Sequence, residues 1–219
     1  MTILAVVFDI GGILEIVPGG GDPTKNFPGL IAKWEIQLQM QPGELSAKLR
    51  DMDERFMRLG KDLAIGTCSE EEWQDELQRV TGMSQEQLDA FMRDYWNVYL
   101  GNPNEEMMAF LSSLRPRYQT ALLSNSGSGA RREEQARYHF NEITDVIIYS
   151  HEEGVEKPDR RIFALACERL GRQPQEIVFL DDVAANVAAA EAHGMHAILF
   201  TETAKAIADV QSCLQEHSK

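Results

Sequence analysis

Two apolar segments that each end in aspartate constrain the fold of this chain more than any other feature. The first, ILAVVF, leads into Asp9, and the second, IVFL, leads into Asp181 and Asp182. Both are rich in β-branched and aromatic residues and precede turn or helix signals, which is typical of buried strands in an open α/β sheet. Such sheets bind their ligands at the carboxyl ends of the strands. The pattern therefore predicts that the three carboxylates share one crevice.

Three carboxylates in one crevice repel one another unless a proton or a cation compensates their charge. A ligand set made only of oxygen atoms selects a hard divalent ion. Asp181 and Asp182 are adjacent, but at a strand end the chain leaves the pleat, so both can approach one ion, one of them through water. The sequence therefore predicts a Mg2+ site that includes Asp9.

Composition limits the classes of partner. The chain has 219 residues with 43% hydrophobic content, enough for one large domain or for one domain with a smaller insertion. Its 35 acidic and 21 basic residues give a net charge of −14, which disfavours binding to nucleic acid or to an anionic membrane. A phosphorylated substrate therefore needs a local cation. The sequence carries no signal of an oligomeric state.

The cysteines and histidines are assigned no role. The three cysteines are odd in number and lack metal-ligand spacing, which favours reduced thiols in a cytoplasmic protein. The five histidines show no pairing with metal spacing or with a nucleophile. The N-terminus has no basic region, and no stretch of about twenty apolar residues occurs. We therefore expect neither secretion nor a membrane span.

The chain divides into two kinds of pattern. Residues 3–8 predict a strand, and prolines and glycines between residues 18 and 23 predict a loop or hinge. Segments with helical spacing follow, and after residue 100 short apolar strands alternate with helices, which predicts a parallel sheet. We expect a discontinuous core of residues 1–14 and 101–219, interrupted by a helical insertion of residues 15–100.

Two further positions are ambiguous when considered alone. Ser124 ends a predicted strand before Asn125, and this is either an ordinary strand-to-helix turn or a phosphate site at a helix N-terminus. Lys157 is either a solvated lysine or a phosphate ligand that Pro158 and the next helix hold in place. Gly11, two residues after Asp9, favours a functional role for Asp9 over a simple turn or helix cap, because glycine lets the main chain approach an anion closely.

Four segments, in this order, resemble the haloacid dehalogenase-like (HAD) hydrolase superfamily over essentially the whole chain. They are VVFDIGGIL around Asp9, ALLSNS around Ser124, EGVEKPDRRIF around Lys157, and FLDDVAANVAAAEAHGM around Asp181 and Asp182. The last segment is most similar to the epoxide-hydrolase N-terminal phosphatase and sugar-1-phosphatase branches. The resemblance implies an α/β fold, a Rossmann-like parallel sheet core with its first strand near the centre, and an inserted α-helical cap domain of type 1.

The resemblance also implies a Mg2+-dependent phosphatase acting on a small phosphorylated metabolite. Asp9 would attack phosphorus to form an aspartyl phosphate, which water then hydrolyses. Mg2+ would be held by the Asp9 carboxylate, the Gly11 carbonyl and Asp182, with Asp181 as a further ligand or as a partner of the ligands.

The remaining roles implied by the resemblance concern the phosphoryl group. Ser124 and Lys157 would neutralise the phosphoryl oxygens during transfer and so take part in catalysis. The positions implied to bind substrate are Ile10, Gly11, Ser124, Asn125 and Lys157.

One position departs from the family pattern. Phosphatases of this superfamily usually carry a second aspartate two residues after the nucleophile, and here that residue is Gly11. Two alternatives to the phosphatase therefore stay open. One is a metal-independent 2-haloacid dehalogenase, against which Asp181 and Asp182 argue; the other is a noncatalytic phosphate-binding or regulatory module.

Overall fold

The computed structural model describes residues 2–17 and 28–217 of the chain. The predicted loop between residues 18 and 23 lies outside these described residues. Among the helices that the structure describes, none is long and apolar enough to cross a membrane.

Five parallel strands form the central sheet, and the first strand of the chain lies in its middle. In chain order the described strands are β1 (Ala5–Phe8), β2 (Glu15–Ile16), β3 (Asn102–Pro103), β4 (Gln119–Ser124), β5 (Val146–Tyr149), β6 (Ile177–Asp181) and β7 (His196–Leu199). The order across the sheet is β5-β4-β1-β6-β7. Phe8 pairs with Leu122 of β4 and with Leu180 of β6, so the residues that follow these strands emerge side by side.

The α-helices connect the strands and cover both faces of the sheet. In chain order they are α1 (Pro28–Gln37), α2 (Glu44–Arg58), α3 (Glu70–Thr81), α4 (Gln85–Leu100), α5 (Glu105–Ser113), α6 (Ala130–Tyr138), α7 (Phe140–Ile143), α8 (Ser150–Glu153), α9 (Arg160–Leu170), α10 (Ala184–His193) and α11 (Thr203–Glu216). Side chains alternate across β1 as the period of a strand requires. Val6 and Phe8 belong to one apolar cluster with α5 and α11, and Ala5 and Val7 belong to another with α9 and α10. The predicted α/β architecture, with a central first strand, is confirmed.

Helices α1 to α4 form a helical insert between β1 and β4 of the sheet. Capping boxes begin two of these helices: Ser69 with Glu72 begins α3, and Ser84 with Gln87 begins α4. The insert has an apolar cluster of its own, in which Trp34 packs edge-on against Phe91. The insert therefore packs around an apolar cluster that is largely separate from the two clusters of the sheet.

A two-stranded antiparallel pair joins the insert to the sheet. In it Glu15 pairs with Pro103 and Ile16 pairs with Asn102. The sequence carries no indication of this pair, because a strand of two residues is too short to produce a periodic pattern.

Side chains of α6 fasten the insert to the sheet. Arg132 makes a two-pronged ion pair with Glu70 of α3, with nitrogen–oxygen distances of 2.8 and 3.0 Å. The Tyr138 hydroxyl donates to the carbonyl of Leu100 at 2.7 Å. These contacts hold α4 over the carboxyl edge of the sheet.

Candidate active site

Asp9 lies one residue beyond β1, between the ends of β4 and β6. Its main-chain N–H donates to the carbonyl of Leu180 at 2.9 Å. The N–H of Ile10 donates to Asp9 Oδ1 at 2.7 Å, and Lys157 Nζ lies 2.8 Å from that oxygen. Burial raises the pKa of Asp9 to about 7, with Lys157 opposing the rise and Asp181 adding to it. Oδ2 has no partner among the described residues, which leaves one carboxylate oxygen available for attack.

Lys157 is the cation of this site. Its Nζ donates to Asp181 Oδ2 at 2.7 Å in addition to pairing with Asp9. Burial opposes its charge, but the two carboxylates raise the pKa of Lys157 above its ordinary value. Asn125 fixes the lysine: the Lys157 N–H donates to Asn125 Oδ1, and Asn125 Nδ2 donates to the Lys157 carbonyl, both at 2.8 Å. The Asn125 side chain thus positions the lysine.

The two adjacent aspartates have different surroundings. Asp181 is fully buried, and it accepts hydrogen bonds from Lys157, from Asn186 Nδ2 and from the N–H of Val183. Asp182 is partly exposed, and its carboxylate accepts no hydrogen bond from another described residue. Burial and the charge of Asp181 raise the pKa of Asp182. Asp182 is therefore free to bind a cation, whereas Asp181 already holds the lysine.

The three carboxylates fit a hard divalent ion. One oxygen from each of Asp9, Asp181 and Asp182 lies within 4.8 Å of the others. Oxygen donors with this much negative charge suit Mg2+, which needs only one or two protein carboxylates and keeps several waters. Asp9 and Asp182 are the two carboxylates with an uncommitted oxygen.

Two glycines, Gly11 and Gly12, lie shortly after Asp9, and they differ in their surroundings. A Cβ on Gly12 would lie 2.3 Å from Asp182 Oδ2, and Gly12 has a φ of +75°, a conformation that favours glycine. A Cβ on Gly11 would meet nothing within 4 Å. Gly12 is thus needed for the close approach of Asp182, whereas Gly11 leaves open space in the crevice.

The other predicted substrate positions have distinct environments. Ser124 ends β4, and its hydroxyl makes no hydrogen bond within the described part of the chain, so it is available to a ligand. The Ile10 side chain lies in the apolar core and its N–H is already donated to Asp9. Ile10 is not among the residues that line the cavity.

A cavity of about 180 Å³ joins these residues and reaches the helical insert. Val98 and Tyr99 of α4 contribute to its wall, together with Glu15 and Glu134. Neither glutamate was predicted as a site residue from the sequence. Glu15 lies in the short β2 strand and Glu134 lies on α6 among other charged residues, so neither has a local pattern that marks it.

A second group of ligating side chains lies elsewhere, and it corrects the expectation that the cysteines and histidines have no metal spacing. Cys213 and His217 stand one helical turn apart on α11, and His196 of β7 lies beside them. One ligand atom from each of the three lies within 4.8 Å of the others. His196 is distant in sequence from the other two, so only the fold brings the three together.

A family model for haloacid dehalogenase-like hydrolases matches residues 3–194. Acyl-CoA dehydrogenase family member 10 of Mus musculus is 29% identical over 223 residues, covering 96% of this chain and 19% of that protein. Bifunctional epoxide hydrolase 2 of Sus scrofa is 31% identical over 113 residues, covering 48% of this chain and 20% of that protein. The chain thus spans about a fifth of the length of these two curated relatives. (S)-2-haloacid dehalogenase 1 of Pseudomonas is 31% identical over 81 residues, covering 37% of this chain and 36% of that protein.

Solved structures share the fold. A HAD family enzyme from Bacteroides thetaiotaomicron, in complex with magnesium and inorganic phosphate, is similar with a TM-score of 0.67 and 22% identity over 91% of this chain and 94% of that one. A HAD-like family hydrolase from Porphyromonas gingivalis has a TM-score of 0.68 and 27% identity over 98% of this chain and 99% of that one.

Proposed function

Because the chain belongs to the haloacid dehalogenase-like hydrolase family, we propose that it is a Mg2+-dependent phosphatase that hydrolyses a small phosphorylated metabolite through an aspartyl phosphate. The observation that carries this proposal is the meeting of Asp9, Asp181 and Asp182 within 4.8 Å, with Lys157 paired to the first two. A bare cluster of this charge needs a cation, and a phosphoryl group needs both the cation and a nucleophile.

Asp9 is the nucleophile of the proposed reaction. Its uncommitted Oδ2 attacks phosphorus, the bond from phosphorus to the ester oxygen breaks, and the phosphoryl group is transferred to the carboxylate. Water then attacks phosphorus, which releases inorganic phosphate and regenerates Asp9. Lys157 and the Ser124 hydroxyl bind the phosphoryl oxygens and neutralise the charge that develops on them.

Asp9, the Gly11 carbonyl and Asp182 are the ligands proposed for Mg2+, and Asp181 keeps Lys157 in place beside them. When bound, Mg2+ supplies positive charge that offsets the carboxylates and the phosphoryl oxygens. The B. thetaiotaomicron enzyme, which binds magnesium and phosphate, supports this choice of ion and ligand for the family.

The helical insert is proposed as the cap, with residues 15–100 covering a core of residues 1–14 and 101–219. Val98 and Tyr99 of α4 line the cavity opposite the carboxylates. A cavity of about 180 Å³ under such a cover suits a small substrate and excludes a folded macromolecule. Closure over the site also excludes water that competes with the proper nucleophile.

The test of this function is phosphate release from p-nitrophenyl phosphate and from a panel of phosphorylated metabolites. We expect turnover with Mg2+, none with EDTA, and none in the Asp9→Asn protein. The Asp159→Asn protein is the matched control, because the partly exposed Asp159 caps α9 and does not line the cavity. Turnover that persists in Asp9→Asn would overturn the assignment of the nucleophile.

A haloacid dehalogenase is the second candidate, favoured by Gly11 and by the similarity to the Pseudomonas enzyme. It needs no metal, so it gives no reason for the acidic pair Asp181 and Asp182. Halide release from a 2-haloacid in the presence of EDTA would establish this candidate, and phosphate binding without release from any ester would establish a noncatalytic module.

A further inference from the structure

The proposed phosphatase lacks a proton donor at the usual position. An alkyl ester leaves as an alkoxide unless a proton reaches its oxygen, and a positioned acid contributes about a hundred- to ten-thousandfold in rate. Gly11 has no side chain to supply that proton. Besides Asp9 and Asp182, the described residues that line the cavity include two carboxyl groups, Glu15 and Glu134.

Glu134 is held rigidly at the cavity wall. It lies on α6, the helix that follows the Ser124 turn, and it is 1% exposed. The Tyr149 hydroxyl donates to its Oε2 at 2.5 Å. Its Oε1 accepts no hydrogen bond from the described residues. One oxygen of the carboxyl group is thus fixed, and the other is left for a ligand.

Burial favours the protonated form of Glu134 at neutral pH. Burial raises the pKa of Glu134 to about 8; the hydrogen bond from Tyr149 opposes the rise, Asp9 adds to it, and Arg131 opposes it. The charged or titratable groups that face it from the surrounding elements are Asp9, Glu15, Tyr99, Arg131, Tyr138 and Tyr149.

Glu15 adds to this environment without having a fixed partner. It is 2% exposed, and its Oε1 has no hydrogen-bond partner among the described residues. Burial raises the pKa of Glu15, and Glu134 and Asp9 raise it further. Two buried carboxyl groups beside a phosphoryl dianion are tolerated when they carry protons or bond to the substrate.

We propose that Glu134 is the general acid and base of the reaction and takes the role that Gly11 cannot fill. This inference depends on the proposed phosphatase function. As Asp9 bonds to phosphorus and the ester bond breaks, the proton of the Glu134 carboxyl group moves to the leaving oxygen and an alcohol is released. The Glu134 carboxylate then removes a proton from the water that attacks the aspartyl phosphate. This transfer restores the protonated form of Glu134 for the next turnover.

The test compares a poor leaving group with a good one in the Glu134→Gln protein. Glutamine has nearly the same shape and still accepts the hydrogen bond from Tyr149. We expect kcat/KM to fall at least about a hundredfold for an alkyl phosphate and less than about tenfold for p-nitrophenyl phosphate, because the aryl oxygen leaves without a proton. Glu15→Gln is the matched control, and we expect it to change both rates by the same factor.

The pH profile is the second readout. With an alkyl phosphate, the wild-type rate falls as the pH rises through about 8, because the acid form of Glu134 is lost. The Glu134→Gln protein lacks this alkaline limb. The assignment would be overturned if kcat/KM fell equally for both substrates in Glu134→Gln. It would also be overturned if kcat/KM fell selectively for the alkyl phosphate in Glu15→Gln. An absence of aryl phosphate turnover in the wild type would instead overturn the phosphatase itself.

A separate observation concerns the cluster of His196, Cys213 and His217. Each imidazole has one ring nitrogen beside a main-chain carbonyl: His196 Nε2 lies 3.2 Å from the Gln175 carbonyl, and His217 Nδ1 lies 2.9 Å from the Cys213 carbonyl. Nδ1 of His196 and Nε2 of His217 have no hydrogen-bond partner among the described residues, and His217 Nδ1 also lies 3.9 Å from Cys213 Sγ. Histidines that ligate metals are usually oriented by such a contact of the second nitrogen. Burial lowers the pKa of His196, which favours the neutral imidazole that metals bind.

The geometry points to a site for a thiophilic transition metal such as Zn2+, with three protein ligands and a fourth position for water. The cluster lies at the start of β7, whereas Asp9 and Asp181 lie at the opposite ends of their strands, so it is separate from the catalytic carboxylates. Metal binding must displace the thiol proton of Cys213, because the thiolate is the form that binds a metal.

Titration of the whole protein with Co2+ tests this site. We expect a thiolate-to-cobalt charge-transfer band in the near ultraviolet that Zn2+ abolishes. The band should be lost in Cys213→Ser, weakened in His196→Gln, and retained in the control Cys167→Ser. A band that survives in Cys213→Ser, or no band in the wild type, would overturn the site.

Discussion

Adding a single methyl group at Gly12 tests how closely the main chain must approach Asp182. A Cβ at Gly12 would stand 2.3 Å from Asp182 Oδ2, and ordinary contact begins near 3.4 Å, so the carboxylate must retreat by about 1 Å. A displacement of about 1 Å in a catalytic group can reduce the rate by about a hundredfold. Alanine at a positive φ also costs about 1–2 kcal/mol of folding free energy.

Gly82→Ala is the matched control, because Gly82 has a φ of +74° but its Cβ would meet nothing within 4 Å and it does not line the cavity. We expect Gly12→Ala to lower kcat/KM by about a hundredfold, to weaken Mg2+ activation and to lower the unfolding free energy by about 1–2 kcal/mol. Gly82→Ala should lower the unfolding free energy by a similar amount but stay within a few-fold of the wild type in activity. The measurements are kcat/KM with p-nitrophenyl phosphate, Mg2+ titration of the rate, and urea unfolding. Wild-type Mg2+ activation in Gly12→Ala, or an equal loss in both variants, would refute the reasoning.

Three other outcomes are expected. Gly11→Asp should raise the alkyl phosphate rate about tenfold or more relative to the aryl rate, because the open space admits a second acid; an unchanged ratio would contradict this. Asn125→Ala should lower the urea-unfolding free energy by about 1–3 kcal/mol, because the buried main chain of Lys157 loses two hydrogen bonds, and wild-type stability would refute that role. The folded-state pKa of Glu134, about 8, lies above its unfolded value, so its stabilising effect is complete below about pH 4.5 and is lost as the pH rises through 8. Relative to the wild type, Glu134→Gln should therefore gain a few kcal/mol between pH 4 and pH 8, and melting curves that shift in parallel across that range would disprove it.

Local patterns were sufficient for the architecture. Short apolar strands ending at Asp9, Ser124 and Asp181 indicated the sheet, and segments with helical spacing indicated the insert. These signals are local because the period of a strand or helix is defined by a few neighbouring residues. The family resemblance, the fold and the hydrolase class are confirmed by the structure and the comparisons.

Tertiary packing decided what the sequence could not indicate. Glu134 looks like one of several charged residues on α6, and only the approach of Tyr149 and the cavity distinguishes it. Asn125 is predicted to contact substrate and lines the cavity, and its side chain also holds the Lys157 main chain, a partner 32 residues away that no local pattern indicates. The group of His196, Cys213 and His217 likewise exists only when β7 and α11 pack together.

The stereochemical course at phosphorus tests the central claim most directly. An isotopically chiral phosphorothioate ester hydrolysed in labelled water reports whether phosphorus is attacked once or twice. Attack by Asp9 followed by attack by water predicts overall retention of configuration. Overall inversion would mean that water attacks the ester directly, and it would contradict an aspartyl phosphate on Asp9.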